Sequence, residues 1–303
     1  MDNKKPVKWL IPGVIFAVIA VAGFAIYLVN MAIEFNARKK LDDLGEFVIT
    51  EPETETVEEP VLEEPEEITE EPAEDEMSLK EMLELEEEEP DPLEGMDIPV
   101  KVIDWDALHS ENEDIYAWIT VTGTNVDYPI LQHPTDPNYY LDHNIDGSRG
   151  YPGCIYTENY NSKEFDDPNT VVYGHNMADG SMFSSLHRFK KPEMWEEEQF
   201  IYVYTEDYIY VYRIFGAYEF SSIHLLLGYD LSNEYVFEQY LKDISEVSTE
   251  NSRVAFFVDG YELSKDDRLI TLSTCTPDSR DDLRFLVQGV LLGKKQVQDA
   301  GEE

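Results

Sequence analysis

The sequence predicts a mostly β protein with inserted helices, closed or nearly closed into a β-barrel. Short runs rich in Val, Ile, Tyr, Phe and Thr recur nine times between Ile119 and Leu292, separated by Gly, Pro, Asn, Asp and Ser. Only three stretches carry a helical pattern in the same region of the chain: Asp104–Trp118, Ser181–Phe189 and Ser232–Val247. Many short strands with few helices is the pattern of barrels and sandwiches. No internal repeat is present.

Charge divides the 303 residues into regions. The formal net charge is −43, which excludes nucleic acid as a partner because a polyanion is repelled. Residues 1–41 carry +4, residues 42–98 carry 26 acids against the single base Lys80, and the remainder is moderately acidic. The domain expectation follows: an N-terminus and transmembrane anchor over 1–41, an acidic linker over 42–98, a globular domain over 99–293 and a polar tail over 294–303.

Residues 9–29 hold no charge and read as a membrane-spanning helix, since 21 helical residues cross a hydrocarbon layer of about 30 Å. Lys4, Lys5 and Lys8 precede it and favour a cytoplasmic N-terminus. The body is then extracellular on a single-pass cell-membrane anchor. A cleaved signal peptide ending at Ala20-Val21-Ala22 is the competing reading, but the apolar run continues to Val29. The linker that follows is Glu-rich and interrupted by Pro52, Pro60, Pro65, Pro72, Pro90 and Pro92, the composition of a disordered, extended spacer. Within it, Ser78 and Glu81 form a capping-box pattern for a short helix to Glu88.

In the globule the strands are expected at Ile119–Thr122, Tyr128–Gln132, Gly153–Thr157, Thr170–Tyr173, Phe200–Tyr204, Tyr208–Phe220, Val254–Phe257, Leu269–Thr274 and Phe285–Leu292. The fifth and sixth form a hairpin about Glu206-Asp207. Val236, Phe237, Tyr240, Leu241 and Ile244 recur at helical spacing, with Ser232 as the expected N-cap.

Three residue types point to chemistry. Cys275 ends the apolar run Leu269-Ile270-Thr271-Leu272 and precedes turn-forming residues, which puts a thiol at a rim. Arg284 opens the next apolar run, so two antiparallel strands set guanidinium beside thiol; Arg280 competes on geometry but lies in the loop. His175 ends a strand-like run, with Gly174 permitting close approach to a pocket; His109, His133, His143, His187 and His224 are its rivals. A thiolate nucleophile, an imidazole proton carrier and a fixed cation form a set suited to acyl transfer. A Cys154–Cys275 disulfide is the passive reading of the two cysteines, and no His or Cys pair has zinc-ligand spacing. No cofactor is expected.

The runs Thr271-Leu272-Ser273-Thr274-Cys275 with Arg284 and Tyr173-Gly174-His175-Asn176 resemble the sortases, membrane-anchored cysteine transpeptidases of Gram-positive bacteria. Asn112 to Ile119, Asp127 to Ile130, Asn138 to Leu141, and Gly180 to Leu186 are similar to motifs of class B. The resemblance covers roughly 99–293. It implies an eight-stranded sortase barrel in which Cys275 attacks the Thr carbonyl of an Asn-Pro-x-Thr-Asn-type sorting signal on a surface protein. His175 exchanges the protons and Arg284 holds the peptide and its oxyanion. A wall-peptide or peptidoglycan-precursor amine then takes the acyl group. By the same resemblance Ser273, Tyr173 and Leu141 line the peptide groove. Thr276 departs from the family, where some class B members carry an acid. A pilin-polymerising variant using a Lys amine, a hydrolase of wall peptides and a non-catalytic binding module are the alternatives.

Overall fold

The computed structural model describes residues 10–50, 91–249, 255–258, 262–276 and 282–297. The expected 78–88 helix, most of the acidic linker, Arg280, and Val254 at the start of one expected strand lie outside them.

The first element is longer than the apolar run predicts. Helix α1 spans Leu10–Asp43, and its side chains from Val18 to Phe35 are mostly exposed and apolar. Its final turns behave differently: Ala37, Leu41 and Leu44 are buried. Leu41 and Leu44 belong to the main core, and a 3-10 turn at Leu44–Phe47 leads into strand β1 (Val48–Thr50). β1 pairs antiparallel with β2 (Lys101–Ile103), Thr50 opposite Lys101. Residues 42–50, which composition assigns to the linker, are therefore folded onto the barrel. Leu41, Leu44 and Phe47 supply the apolar surface that the acidic average over 42–98 conceals.

Helix α2 (Trp105–Glu111) is capped by Asp104, whose side chain accepts from Ala107 N–H at 2.9 Å. The expected helix to Trp118 stops here, because Asn112 turns the chain and its side chain accepts from Asp114 N–H. From Ile115 the residues join strand β3 (Ile115–Val121), which is buried almost throughout. Then come β4 (Asp127–Leu131), the one-turn α3 (Tyr139–Asp142), β5 (Ile155–Thr157) and β6 (Asn169–Tyr173). The helix expected at Ser181–Phe189 is a 3-10 helix, Phe183–Lys190. β7 (Phe200–Tyr204) and β8 (Tyr208–Ser221) make the expected hairpin. After α4 (Leu225–Gly228) comes α5 (Glu234–Thr249), whose predicted apolar stripe is buried at Phe237, Tyr240, Leu241 and Ile244 and half-buried at Val236. Its N-cap is Asn233 rather than Ser232, since Asn233 Oδ1 accepts from Tyr235 N–H at 3.1 Å while Ser232 donates to Asp230. Strands β9 (Ala255–Phe257), β10 (Leu269–Cys275) and β11 (Leu283–Gln296) complete the fold. β11 extends three residues beyond the expected domain end at 293.

Eight strands close in the order β11-β10-β6-β5-β4-β3-β7-β8, and β8 returns to β11 to seal the barrel. β9 is an added strand on β8. Ile270, Leu272, Phe285 and Val287 fill the interior. On the outside, α5 covers Val171, Leu269, Leu286 and Val290.

A polar chain lies within that outer layer. Gln288 Nε2 donates to Tyr240 OH and to Thr271 Oγ1, both at 2.7 Å, and Thr271 donates to Asn169 Oδ1 at 2.8 Å. Tyr218 OH donates to Gln288 Oε1. All five residues are fully or almost fully buried. They join β6, β10, β11, β8 and α5, and every bond satisfies a group that burial would otherwise penalise. Gln288→Leu removes the acceptor of the Tyr218 hydroxyl and the donor to Tyr240 and Thr271, and is expected to lower unfolding free energy by about 2–3 kcal/mol, measurable by urea titration of the purified chain.

Candidate active site

Three adjacent strands carry the residues singled out by sequence. β6 and β10 run parallel with Tyr173 opposite Ser273, and Gly174 N–H continues the ladder to Ser273 O at 3.2 Å. β10 and β11 run antiparallel with Cys275 opposite Arg284. Cross-strand neighbours of this kind have Cβ atoms about 5 Å apart. Side chains alternate along a strand, so Ser273 and Cys275 share one face, the outer one that also holds Thr271. Gly174 shows where His175 points. A Cβ on Gly174 would lie 2.5 Å from Ile155 Cδ1 and 2.6 Å from Phe183, inside the core, so Tyr173 and His175 project the other way. Glycine is needed here for approach to the core, and not to the pocket that the sequence suggested.

His175 is half-buried and held by an element far away in sequence. Its Nε2 donates to the Leu141 carbonyl of α3 at 2.6 Å, which places the proton of the neutral ring on Nε2 rather than Nδ1. The Tyr151 ring packs edge-on against the imidazole, 5.1 Å between centroids. Gly153 makes this approach possible: at φ +67 a Cβ would stand 2.9 Å from Tyr140 O and 3.4 Å from His175 Cδ2. Leu141 thus serves His175 through its carbonyl, while its side chain stays 46% exposed beside the site.

Cys275 is an exposed free thiol at the end of β10. Its carbonyl is fixed by two side chains, Asn176 Nδ2 at 3.2 Å and His187 Nε2 at 3.1 Å. Asn176 is itself oriented by Ser184, whose hydroxyl donates to Asn176 Oδ1 at 2.9 Å. Arg284 is half-buried and donates from Nη1 to the Leu283 carbonyl at 2.9 Å. Cys154 is also a free thiol, buried and directed at His143 O at 3.6 Å, so the passive disulfide does not form. Burial pushes the Cys154 thiol far up, which keeps it protonated and unreactive. Among the described residues no cluster of three or more His, Cys, Asp or Glu is arranged to hold a metal.

Of the residues expected to line a groove, Ser273 is buried two positions before Cys275, and the Tyr173 hydroxyl donates to Glu158 Oε2 at 3.3 Å. Thr276 is buried, with its hydroxyl lacking a hydrogen-bond partner among the described residues. Sequence reasoning passed over His187, which neither caps a strand nor belongs to a motif. Its significance comes from a contact 88 residues away, and local pattern carries no signal of that kind. Phe285 stacks on its ring at 4.8 Å between centroids. Burial, followed by the nearby Lys190 ammonium, pulls His187 down to about 4. The geometry gives the same answer: Nε2–H is spent on Cys275 O, and the buried Nδ1 has no hydrogen-bond partner among the described residues to receive a second proton.

A family model of the sortase domain matches residues 119–292. Sortase B of Listeria monocytogenes is 34% identical over 188 residues, covering 62% of this chain and 73% of that protein. Among solved structures, sortase B of Clostridium perfringens aligns at TM-score 0.53 and 30% identity, over 62% of this chain and 98% of that one. The Staphylococcus aureus sortase B–substrate complex aligns at TM-score 0.51 and 27% identity, over 64% and 85%.

His187 yields a pH prediction. Its folded pKa lies below the unfolded value of 6.5, so in the window from 6.5 to about 4 the unfolded chain binds the additional proton. Its contribution to stability is complete above that window and is lost as pH falls through it. His187→Gln is expected to flatten the fall of the melting temperature across the same window, read by thermal unfolding at successive pH values.

Proposed function

The chain belongs to the sortase family of cysteine transpeptidases, and from that membership we propose that it is a class B enzyme of the cell surface. It cleaves a sorting signal of the Asn-Pro-x-Thr-Asn type after Thr and passes the protein to a cell-wall peptide amine. The observation that supports this most is the strand register setting Cys275 opposite Arg284, with His175 delivered from the parallel neighbour β6.

In the proposed mechanism the Cys275 thiolate adds to the Thr carbonyl carbon, and the resulting oxyanion is stabilised by the Arg284 guanidinium. The C–N bond breaks as His175 gives its Nδ1 proton to the leaving amine, and the acyl group remains as a Cys275 thioester. An incoming amine loses a proton to the same nitrogen as it attacks, the C–S bond breaks, and the thiolate and protonated imidazole are restored as a new amide forms. The Leu141 carbonyl suits this cycle because it accepts from Nε2–H in both protonation states of the ring. Proton exchange at Nδ1 therefore leaves the imidazole anchored.

The exposed portion of α1 supports membrane anchoring: its most apolar window has a mean hydropathy of 2.0 and is not buried. With Lys4, Lys5 and Lys8 before it, the barrel faces the wall. Partners are then a surface protein bearing the signal and a peptidoglycan-derived amine.

The full chain in detergent, given a quenched Asn-Pro-Gln-Thr-Asn peptide with and without an amine acceptor, is expected to cut after Thr and to form an acceptor conjugate. Cys275→Ala abolishes both products, and cleavage that survives this substitution overturns the mechanism. Arg284→Ala lowers kcat by about 100-fold. A product that is hydrolysed even with excess acceptor identifies a peptidase instead.

A further inference from the structure

Glu158 follows β5 directly and is only 2% exposed. A carboxylate removed from water this far needs strong partners. It has two besides its own backbone anchor at Gln132: His224 Nε2 at 2.8 Å and the Tyr173 hydroxyl at 3.3 Å. Burial pushes the Glu158 carboxyl up, and the bond from His224 acts in the opposite direction.

His224 is fixed at both nitrogens. Its Nδ1 accepts from Leu227 N–H at 3.2 Å, capping α4, so the ring proton sits on Nε2 and is donated to Glu158. One imidazole therefore joins the segment after β8 to the end of β5, across the face on which Tyr173 lies. The His224 ring is 6.4 Å from that of Tyr173 and 6.0 Å from that of Tyr160. The segment it holds displays Ile223 and Leu227, 49% and 64% exposed, and Tyr160, beside the His224 ring, is 50% exposed. Tyr173 pairs with Ser273 on β10, two residues before the Cys275 thiol.

We propose that the Glu158–His224 pair is a latch that positions residues 222–231 as one wall of the peptide groove. Ile223 and Leu227 present apolar surface to the residues of the sorting signal ahead of its scissile Thr. This rests on the transpeptidase reading above. Both latch residues are positioning residues: neither touches the reacting bond, and their effect passes through the wall and the Tyr173 hydroxyl.

A purely positional role predicts a split between KM and kcat. In the full chain, His224→Ala is expected to raise KM for the quenched Asn-Pro-Gln-Thr-Asn peptide about tenfold with kcat changed less than about twofold. His224→Gln, which retains a donor within reach of Glu158, restores most of the loss. Adding Glu158→Gln to His224→Ala costs little more, because the two act as one unit. Hydrogen exchange over 222–231 tests the latch without any peptide and is expected to accelerate in His224→Ala. Unchanged exchange there, an unchanged KM, or a fall confined to kcat overturns the proposal. A wild-type chain that leaves the peptide uncut overturns the transpeptidase reading, and the peptide-wall role with it.

Discussion

The site depends on the register of three strands, and a buried set of hydrogen bonds holds that register. Asn169, Thr271 and Gln288 lie on β6, β10 and β11, and Tyr218 and Tyr240 tie them to β8 and α5. A slip of one residue in any of these strands turns every side chain to the opposite face. Here it would also orphan several buried polar groups, each at a cost of about 1–3 kcal/mol. Cys275 lies four residues from Thr271 on the same strand and face, and Arg284 four residues from Gln288. A polar network deep under α5 thus determines which residues meet at the rim. An apolar layer would stabilise the barrel as well, but it would tolerate neighbouring registers more readily.

A second constraint lies at the N-terminal side. α1 runs without interruption into a turn whose leucine is part of the core, and β1 then pairs with β2. The chain between Thr50 and Lys101 leaves and re-enters at paired positions, so its two ends are about 5 Å apart. However long that acidic segment is, it adds no distance between α1 and the barrel. Arg38 pairs with Asp179 and Lys40 lies 3.8 Å from Asp146, linking the end of α1 to the loops on either side of His175. The helix that anchors the protein in the proposed reading is therefore also a wall of its folded domain.

What was legible in the sequence is what local pattern encodes. Alternation along β7 and β8, the helical stripe of α5 and the strand-end positions of Cys275 and Arg284 are each visible within about fifteen residues. The misreadings have physical causes. Ile115, Ala117 and Trp118 suit a helix as well as a strand, and the Asn112 turn decided between them. Ser232 and Asn233 are adjacent capping residues, and Asp230 takes the serine hydroxyl. His187, Glu158 and the Leu141 carbonyl acquire meaning only through partners 88, 66 and 34 residues away. The resemblance placed Leu141 at the groove, but the role of its backbone required the fold.

The anchors around the proposed catalytic groups act on atoms that the chemistry does not use. Asn176 and His187 hold the carbonyl of Cys275, not its sulfur, and Leu141 holds Nε2 of His175, not Nδ1. Preorganisation of this kind places the reacting atoms without consuming their hydrogen-bonding capacity. It also explains how a second histidine can sit so near the proposed nucleophile. Kept neutral by burial and by Lys190, His187 has its one proton committed to a backbone oxygen. In the proposed mechanism it can therefore neither compete with His175 for the proton in transit nor add a positive charge beside the thiol. Two imidazoles of one fold are thus each held through Nε2 by a backbone carbonyl.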